Sequence, residues 1–233
     1  MLKVNELPLP LTPDEHFRLS KLTTSNLCDA LDKLKVPRGG CLDAGIKPLA
    51  PTMQFVGAAL TVYAPAGNSL PVQYAMQLAQ SGYALCVATD GYMDGPYIGD
   101  LIALIGQKMG LTGIVIDGYA RDAQEIAAAD FPLFCRGTMP RKPNKADDGE
   151  INGTINCAQV HINPGDIIMG DIDGVVAIPR QLLAEVLAAA EKKHTGDAIR
   201  HKIIVDFFTN NTLNAQHKNI LPLLSKDVQD IVK

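Results

Sequence analysis

Two short polar segments of this chain combine residue types that could bind a small acidic molecule together with a divalent cation. The first is Gly99-Asp100-Leu101-Ile102, and the second is Arg121-Asp122, followed by Glu125. Carboxylates can hold a divalent cation, an arginine can clamp a carboxylate, and the free N–H groups of a helix start attract anions. These groups could together bind and polarise a small oxo-acid.

Alternating strands and helices are predicted around both segments. The continuous apolar run at 83–88 is typical of a strand buried on both faces. A helix follows Gly99 and ends near Gly110, and a buried strand at 113–117 is expected to turn at Gly118 into a shorter helix that starts near Arg121. This alternation predicts an α/β fold. Ligands in such folds bind at the carboxyl ends of the strands, so we expect the side chains of the two polar segments to share one cavity.

The rest of the chain supplies further predicted elements. An extended N-terminal arm precedes a helix that Thr23, Thr24 or Ser25 can cap. Residues 136–153 form a long polar loop, which together with residues 90–98 is expected to shape the distal part of the pocket. The remaining predictions are strands at 55–64, 131–135, 155–162, 166–169 and 174–178, and helices at 70–81, from Pro179, and at 195–209.

Each polar segment also has a purely structural interpretation. Asp100 could simply favour its own helix as an acidic residue in the first turn. Arg121 and Asp122 could form a surface ion pair, which is common and contributes little stability. The residues alone leave these alternatives open.

Composition restricts the classes of partner. The 233 residues carry a net charge of −4, and 47% of them are hydrophobic. With no arginine-rich run, nucleic acid is not expected as a partner, and the basic residues between Arg136 and Lys145 are expected in a solvated loop. No apolar run approaches the roughly 20 residues of a membrane span, and no signal peptide is recognised, so neither a membrane partner nor export is expected. Five cysteines without a C-x-x-C motif favour a reduced, cytoplasmic protein.

Other candidate catalytic groups have weaker signals. The five histidines show no metal-binding spacing, and no serine lies in a G-x-S-x-G motif. No G-x-G-x-x-G motif follows a strand, which argues against a dinucleotide site.

The Gly99-Asp100 pair together with Arg121-Asp122-x-x-Glu125 resembles the signature of the 4-hydroxy-4-methyl-2-oxoglutarate / 4-carboxy-4-hydroxy-2-oxoadipate aldolases. That family also contains the regulators of ribonuclease E activity A. The similarity extends over about residues 22–193. It includes Thr23-Thr24 with Asp29-Ala30-Leu31, Ile46-Lys47-Pro48-Leu49, Gly57 to Val62, Asn163-Pro164-Gly165-Asp166 and Gly170 to Arg180.

The resemblance implies a fold, an assembly and a cofactor. The fold would be a swivelling β/β/α core with additional N- and C-terminal helices, as a single domain over 1–233 with a helical extension at about 194–233. The assembly would be a homotrimer or homohexamer with sites at subunit interfaces. The cofactor would be Mg²⁺ or Mn²⁺, held by Asp122 and by a glutamate from a neighbouring subunit. By position that residue is Asp197 here, one methylene shorter.

The same resemblance implies roles for the other site residues. Arg121 would bind the carboxylate and keto oxygen of the pyruvate moiety. The amides of Leu101 and Ile102, after Gly99, would bind the carboxylate, and Asp100 would position a water for proton transfer. The implied activity is cleavage of a 4-hydroxy-2-oxo acid to pyruvate and a second oxo acid, with oxaloacetate decarboxylation by the same chemistry. The alternatives are a regulator that inhibits a ribonuclease by protein contact, and a related lyase acting on another 2-oxo acid.

Overall fold

The computed structural model of the protein describes residues 1–146, 148–210, 220 and 223–224. The chain divides into two units, Met1–Ala190 and Glu191–Lys233. The described strands are, in order, β1 (Lys3–Val4), β2 (Lys47–Pro48), β3 (Phe55–Tyr63), β4 (Tyr83–Ala88), β5 (Pro96–Ile98), β6 (Gly113–Ala120), β7 (Leu133–Thr138), β8 (Glu150–Ile151), β9 (Ile155–Cys157), β10 (Val160–Ile162), β11 (Ile167–Asp171) and β12 (Gly174–Ile178).

The helices are mostly short, except for the last. They are α1 (Pro13–Leu19), α2 (Thr24–Lys33), α3 (Leu70–Leu78), α4 (Asp100–Lys108), α5 (Ala123–Ala128) and α6 (Leu183–Asn210), with 3₁₀ turns at Pro37–Gly40, Pro65–Gly67 and Arg180–Leu182. No helix within the described residues has the length and apolar character needed to cross a bilayer. The capping prediction for α2 is confirmed, because the Thr23 hydroxyl accepts a hydrogen bond from the Asn26 amide.

Four parallel strands form the centre of the first unit, in the order β3-β4-β6-β7. The residues of β3, β4 and β6 are almost all buried, as expected of parallel strands covered on both faces. The antiparallel pair β11 and β12 joins the sheet beside β3, and β5 runs parallel to β6. The predicted α/β fold is thereby confirmed.

Two apolar clusters stabilise this unit. The larger surrounds the central strands and includes Leu60, Leu85 and Ile114. The smaller packs α1, α2 and the start of α6 against β11 and β12, with Leu27 and Leu187 among its buried residues. Each fully buried aliphatic side chain contributes about 1.5–3 kcal/mol, so these clusters stabilise the sheet from which the loops of the site emerge.

Several predicted elements are corrected by the structure. Gly118 does not end a strand, because β6 continues through it to Ala120 with an irregularity in its pairing to β7. The N-terminal arm contains α1, which begins at Thr12 with a capping box. Residues 155–162 form the hairpin β9–β10 instead of one strand. The two helices predicted after Pro179 are one helix, α6.

Candidate functional site

Strands β5 and β6 bring the two polar segments side by side. Ile98 at the end of β5 pairs with Ala120 at the end of β6. The Arg121 amide donates a hydrogen bond to the Ile98 carbonyl at 2.9 Å. Gly99-Asp100 and Arg121-Asp122 therefore leave the same edge of the sheet as direct neighbours. Strand β5 was not predicted, and its pairing with β6 is what aligns the two segments.

The side chains of the second segment contact the backbone of the first. Arg121 Nε lies 3.2 Å from Asp122 Oδ2, and the Asp100 amide donates to the same oxygen at 3.4 Å. Arg121 Nε is buried, yet the described part of the chain gives it no partner in hydrogen-bond geometry, the Asp122 oxygen being close but poorly aligned. A buried donor without an acceptor is costly. The Arg121 side chain as a whole is 37% exposed, so its other guanidinium N–H groups are the ones that can meet a ligand.

Gly99 permits this close approach. A Cβ atom at position 99 would lie 2.4 Å from Asp122 Oδ2 and 3.0 Å from Arg121 Nε. Both distances are too short for any larger residue to fit without moving the two charged side chains. The glycine is therefore required by the packing of the site.

Asp122 has a left-handed backbone conformation, with φ 56° and ψ 43°, at the N-cap of α5. This conformation costs a non-glycine residue about 1–2 kcal/mol, and such strain concentrates at functional sites. The bend directs its carboxylate back toward Gly99 instead of along α5.

Helix α4 presents its N-terminus to the same place without a cap from its own N-cap residue. That residue is Gly99, which has no side chain, and the Asp100 amide finds its acceptor in Asp122 Oδ2. The amides of Leu101 and Ile102 lie in the first turn, where they have no intrahelical acceptor. Together with the helix dipole they attract an anion.

These groups surround a cavity of about 450 Å³. The predicted residues Gly99, Asp100, Leu101, Ile102 and Arg121 all line it. The other lining residues are Ser69, Gln73, Tyr97, Pro140, Lys142, Pro143 and Lys145. Arg121 thus shares a cavity with the α4 N-terminus, but the expectation of one cavity for both segments is met only in part, because Asp122 is not among the lining residues.

The two predicted metal ligands are placed differently. Asp122 is not part of the cavity lining, although its carboxylate touches the Gly99 and Asp100 backbone. Asp197 belongs to the second unit, on α6, where its carboxylate lies 3.1 Å from Lys193 Nζ. The role of Asp197 as a metal ligand from a neighbouring subunit stays a prediction.

The polar loop after β7 supplies two cations to the cavity. Lys142 and Lys145 line it, in agreement with the expectation that the 136–153 loop shapes part of the pocket. Asn144 fixes the loop in place: its amide donates to the Gly67 carbonyl and its side chain to the Ala66 carbonyl, at 3.1 and 3.0 Å. No periodicity or motif in the sequence indicates that these lysines face the site.

The charges of the lining favour an anion. Three cationic side chains, Arg121, Lys142 and Lys145, face one carboxylate, that of Asp100. An excess of positive charge in a cleft raises the local concentration of anionic ligands.

Tyr97 forms part of the cavity wall and is almost fully buried. Its hydroxyl oxygen accepts a hydrogen bond from the Gly67 amide at 2.8 Å. Burial raises the pKa of Tyr97 to about 12, so the hydroxyl stays neutral at physiological pH. Tyr97 therefore links the cavity wall to the turn that holds the lysine-bearing loop.

The carboxylates near the cavity are better suited to a cation that keeps most of its water ligands than to one coordinated by protein side chains alone. Among residues 1–146 and 148–210 there is no group of three or more His, Cys, Asp or Glu side chains that could hold a metal ion. The Asp122 side chain is one third exposed, and its described contacts involve Oδ2 alone. Mg²⁺ commonly uses one or two carboxylates and keeps several waters. Asp122 is thus compatible with such an ion.

The family model described as Aldolase/RraA, of the RraA-like family, matches residues 24–177. The chain belongs to this family. It is 38% identical over 185 residues to a protein of Halalkalibacterium halodurans named "Putative 4-hydroxy-4-methyl-2-oxoglutarate aldolase", covering 79% of this chain and 86% of that one.

Two solved structures share the fold. An uncharacterized protein from Pseudomonas syringae is 27% identical, with a TM-score of 0.73, over 88% of this chain and 97% of that one. The RNA-processing inhibitor RraA from Thermus thermophilis is 23% identical, with a TM-score of 0.56, over 60% of this chain and 84% of that one. The second likeness is one of fold alone.

Proposed function

We propose that this RraA-like protein is a divalent-metal-dependent lyase that cleaves a 4-hydroxy-2-oxo acid to pyruvate and a second oxo acid. The observation that carries the proposal is the shared cavity of the Arg121 guanidinium and the N-terminus of α4. The name of the Halalkalibacterium relative supports the same reaction, with 4-hydroxy-4-methyl-2-oxoglutarate as the first substrate to test.

Arg121 and α4 would bind the end of the substrate that becomes pyruvate. The amides of Leu101 and Ile102 are suited to one carboxylate oxygen. The planar guanidinium of Arg121 can donate to the carboxylate and to the adjacent keto oxygen at once. When the C–C bond breaks, negative charge develops on this keto oxygen, and a guanidinium already in place stabilises it without reorganisation.

Asp100 is the candidate for proton transfer. It lines the same cavity as Arg121, in the first turn of α4. An Asp carboxylate within reach of the substrate, directly or through one water, can accept the hydroxyl proton that must leave as the second oxo acid forms. The same group can then return a proton to the pyruvate carbon.

A divalent cation would be held by Asp122. Bound there, Mg²⁺ or Mn²⁺ would supply Lewis-acid stabilisation of the developing charge. Asp197 from a neighbouring subunit is the second proposed ligand. The same chemistry would permit decarboxylation of oxaloacetate, since that reaction also gives the enolate of pyruvate.

Lys142 and Lys145 would bind the distal part of the substrate. Arg121 and the α4 amides are sufficient to bind one carboxylate of the substrate. Two further cations in the same cavity therefore favour a substrate that carries at least one additional carboxylate. A branched dicarboxylic or tricarboxylic oxo-acid meets this requirement.

We further propose that the protein is a homo-oligomer, a trimer or a hexamer, with α4 at an interface. Three apolar side chains of α4 and the Met109 side chain at its C-cap are exposed: Leu101 by 68%, Leu104 by 46%, Ile105 by 45% and Met109 by 43%. An exposed apolar stripe of this kind is typical of a protein contact. Because Leu101 also lines the cavity, a neighbouring subunit on this face would lie close to the site.

The direct test is release of pyruvate from 4-hydroxy-4-methyl-2-oxoglutarate in the presence of Mg²⁺ or Mn²⁺, followed with a coupled dehydrogenase. We expect turnover that EDTA abolishes and that returns when metal is added back. In Arg121→Ala we expect kcat/KM to fall by about 10²–10³-fold, the typical loss of one charge-stabilising donor. If a panel of 2-oxo acids gives no metal-dependent turnover, the proposal is wrong.

Inhibition of a ribonuclease by protein contact is the alternative function. Its support is the shared fold with the Thermus RNA-processing inhibitor, and a fold does not assign a function. Ribonuclease inhibition without lyase activity would establish this alternative.

A further inference from the structure

Two cysteines lie next to each other at the corner that follows α2. Cys28 is on α2, and Cys41 comes directly after the 3₁₀ turn Pro37–Gly40. Their Sγ atoms are 3.0 Å apart. Since the S–S bond of a disulfide measures about 2.05 Å, closing one here requires an approach of about 1 Å, within the range of small side-chain adjustments.

The backbone of the turn is shaped to bring the two thiols together. Arg38, Gly39 and Gly40 all have positive φ angles, of 57°, 59° and 69°. These three consecutive residues fold the chain back onto α2. A Cβ atom on Gly39 would lie 2.7 Å from Cys28 Sγ, so the glycine is needed for this close approach.

This thiol pair is accessible to small molecules, unlike the other three cysteines. Cys28 and Cys41 are half-buried and line an open cavity of about 330 Å³. Cys86, Cys135 and Cys157 are buried, and burial raises the pKa of each of these thiols. A dissolved oxidant would therefore reach the pair before it reaches the others.

We propose that Cys28 and Cys41 are a modification site for hydroperoxides, at which the two thiols are converted reversibly into an intramolecular disulfide. In the first step the sulfur of one cysteine attacks a peroxide oxygen, the O–O bond breaks, and a sulfenic acid and one water form from hydrogen peroxide. In the second step the other sulfur attacks the sulfenic sulfur and releases a second water. The sum is two thiols and one peroxide giving one disulfide and two waters, and a thiol reductant reverses it.

The two cysteines have different parts in this sequence. Burial, followed by the neighbouring Cys28 thiol, raises the pKa of Cys41 to about 12. Since the thiolate is the attacking species, the thiol of the pair that loses its proton first attacks the peroxide, and the other resolves the sulfenic acid. This site does not depend on the lyase reaction.

The test is peptide mapping of the reduced full-length protein after treatment with hydrogen peroxide and alkylation of the remaining thiols. The protein is digested with proteases that cleave before aspartates and after basic residues. Cleavage before Asp29 and after Arg38 places Cys28 and Cys41 in different peptides, and cleavage before Asp43 separates Cys41 from Cys86. We expect a cross-linked pair of peptides, with a loss of about 2 Da per chain, that dithiothreitol reverses.

Matched variants show which thiols react. The cross-link should be absent from Cys28→Ser and Cys41→Ser and unchanged in Cys135→Ser. Cys41→Ser should accumulate the sulfenic acid at Cys28, which a dimedone probe detects. Three results for the peroxide-treated wild-type protein would overturn the proposal, whether or not the variants fold. They are recovery of both cysteines in alkylated form, separate oxidation of each cysteine, and disulfide links only between chains.

Discussion

At the residue scale, the site depends on how closely Gly99, Arg121 and Asp122 approach one another. The Arg121 guanidinium is held between the Asp122 carboxylate and the cavity, and its buried Nε lacks an aligned acceptor. These contacts require a glycine at position 99 because any Cβ there would overlap the Asp122 carboxylate.

Gly99→Ala should therefore impair the site without unfolding the protein. We expect the added methyl group to displace Asp122 and Arg121 and to lower kcat/KM for pyruvate release by about 10²-fold, because misplacement by about 1 Å costs this much. Gly95→Ala is the matched control, since a Cβ there would make only ordinary contact with Tyr92 at 3.5 Å. Equal activity of Gly99→Ala and wild type would show that the close approach is unimportant.

Lys142→Ala and Lys145→Ala should weaken binding of the distal carboxylate. We expect KM for a dicarboxylic oxo-acid to rise by about 5–10-fold in each variant. The effect is modest because both side chains are exposed and their charges are screened. Inhibition by pyruvate, which lacks the distal carboxylate, should change little. Lys33→Ala, on α2, is the control. A KM unaffected in the two loop variants would contradict the assignment of these lysines to the distal pocket.

At the element scale, the predictions succeeded where the sequence pattern was strong. Strands β4 and β12 have the predicted bounds because each is a continuous apolar run between turn residues. Strand β5 was missed because three residues, one of them a proline, carry no periodicity. Its pairing with β6 is a long-range contact, so the alignment of the two site segments could be expected only from the general rule for α/β sheets.

Helix α4 illustrates the same limit. The sequence predicts the helix, yet most of its large apolar side chains are exposed, while Ala103 and Gly106 are its buried residues. Small residues allow the helix to pack closely on the sheet and leave its large apolar side chains on the outside. The spacing of apolar residues identifies one face of a helix. It does not show whether that face packs against the same chain or against a neighbouring subunit.

Ile105→Glu should accordingly disrupt self-association. A buried charge on an apolar contact costs several kcal/mol, so we expect light scattering after size-exclusion chromatography to report a smaller species than wild type. Ile172→Glu, at a residue that is also exposed, is the control and should leave the mass unchanged. If Ile105→Glu keeps the wild-type mass, α4 is not at an interface.

At the scale of the whole molecule, the family follows from sequence and fold together. The α/β fold, the shared cavity of Arg121 and α4, and the Aldolase/RraA match over residues 24–177 agree. The sequence predicted that the 136–153 loop shapes the pocket but not which of its residues line it, because the loop is positioned by contacts of Asn144 with a turn far away in the sequence. The proposed role of Asp197 depends on a second subunit, which the sequence of one chain does not position.

The central claim is that this cavity stabilises the enolate of pyruvate, and it can be measured without knowing the natural substrate. An enzyme that forms this enolate must exchange the methyl protons of pyruvate with solvent. We predict that in D₂O with Mg²⁺ the methyl signal of pyruvate in the proton NMR spectrum decays in the presence of the protein, and that EDTA or Arg121→Ala abolishes the decay. The account would be contradicted if the methyl signal decays no faster with folded wild-type protein and Mg²⁺ than in buffer with Mg²⁺ alone.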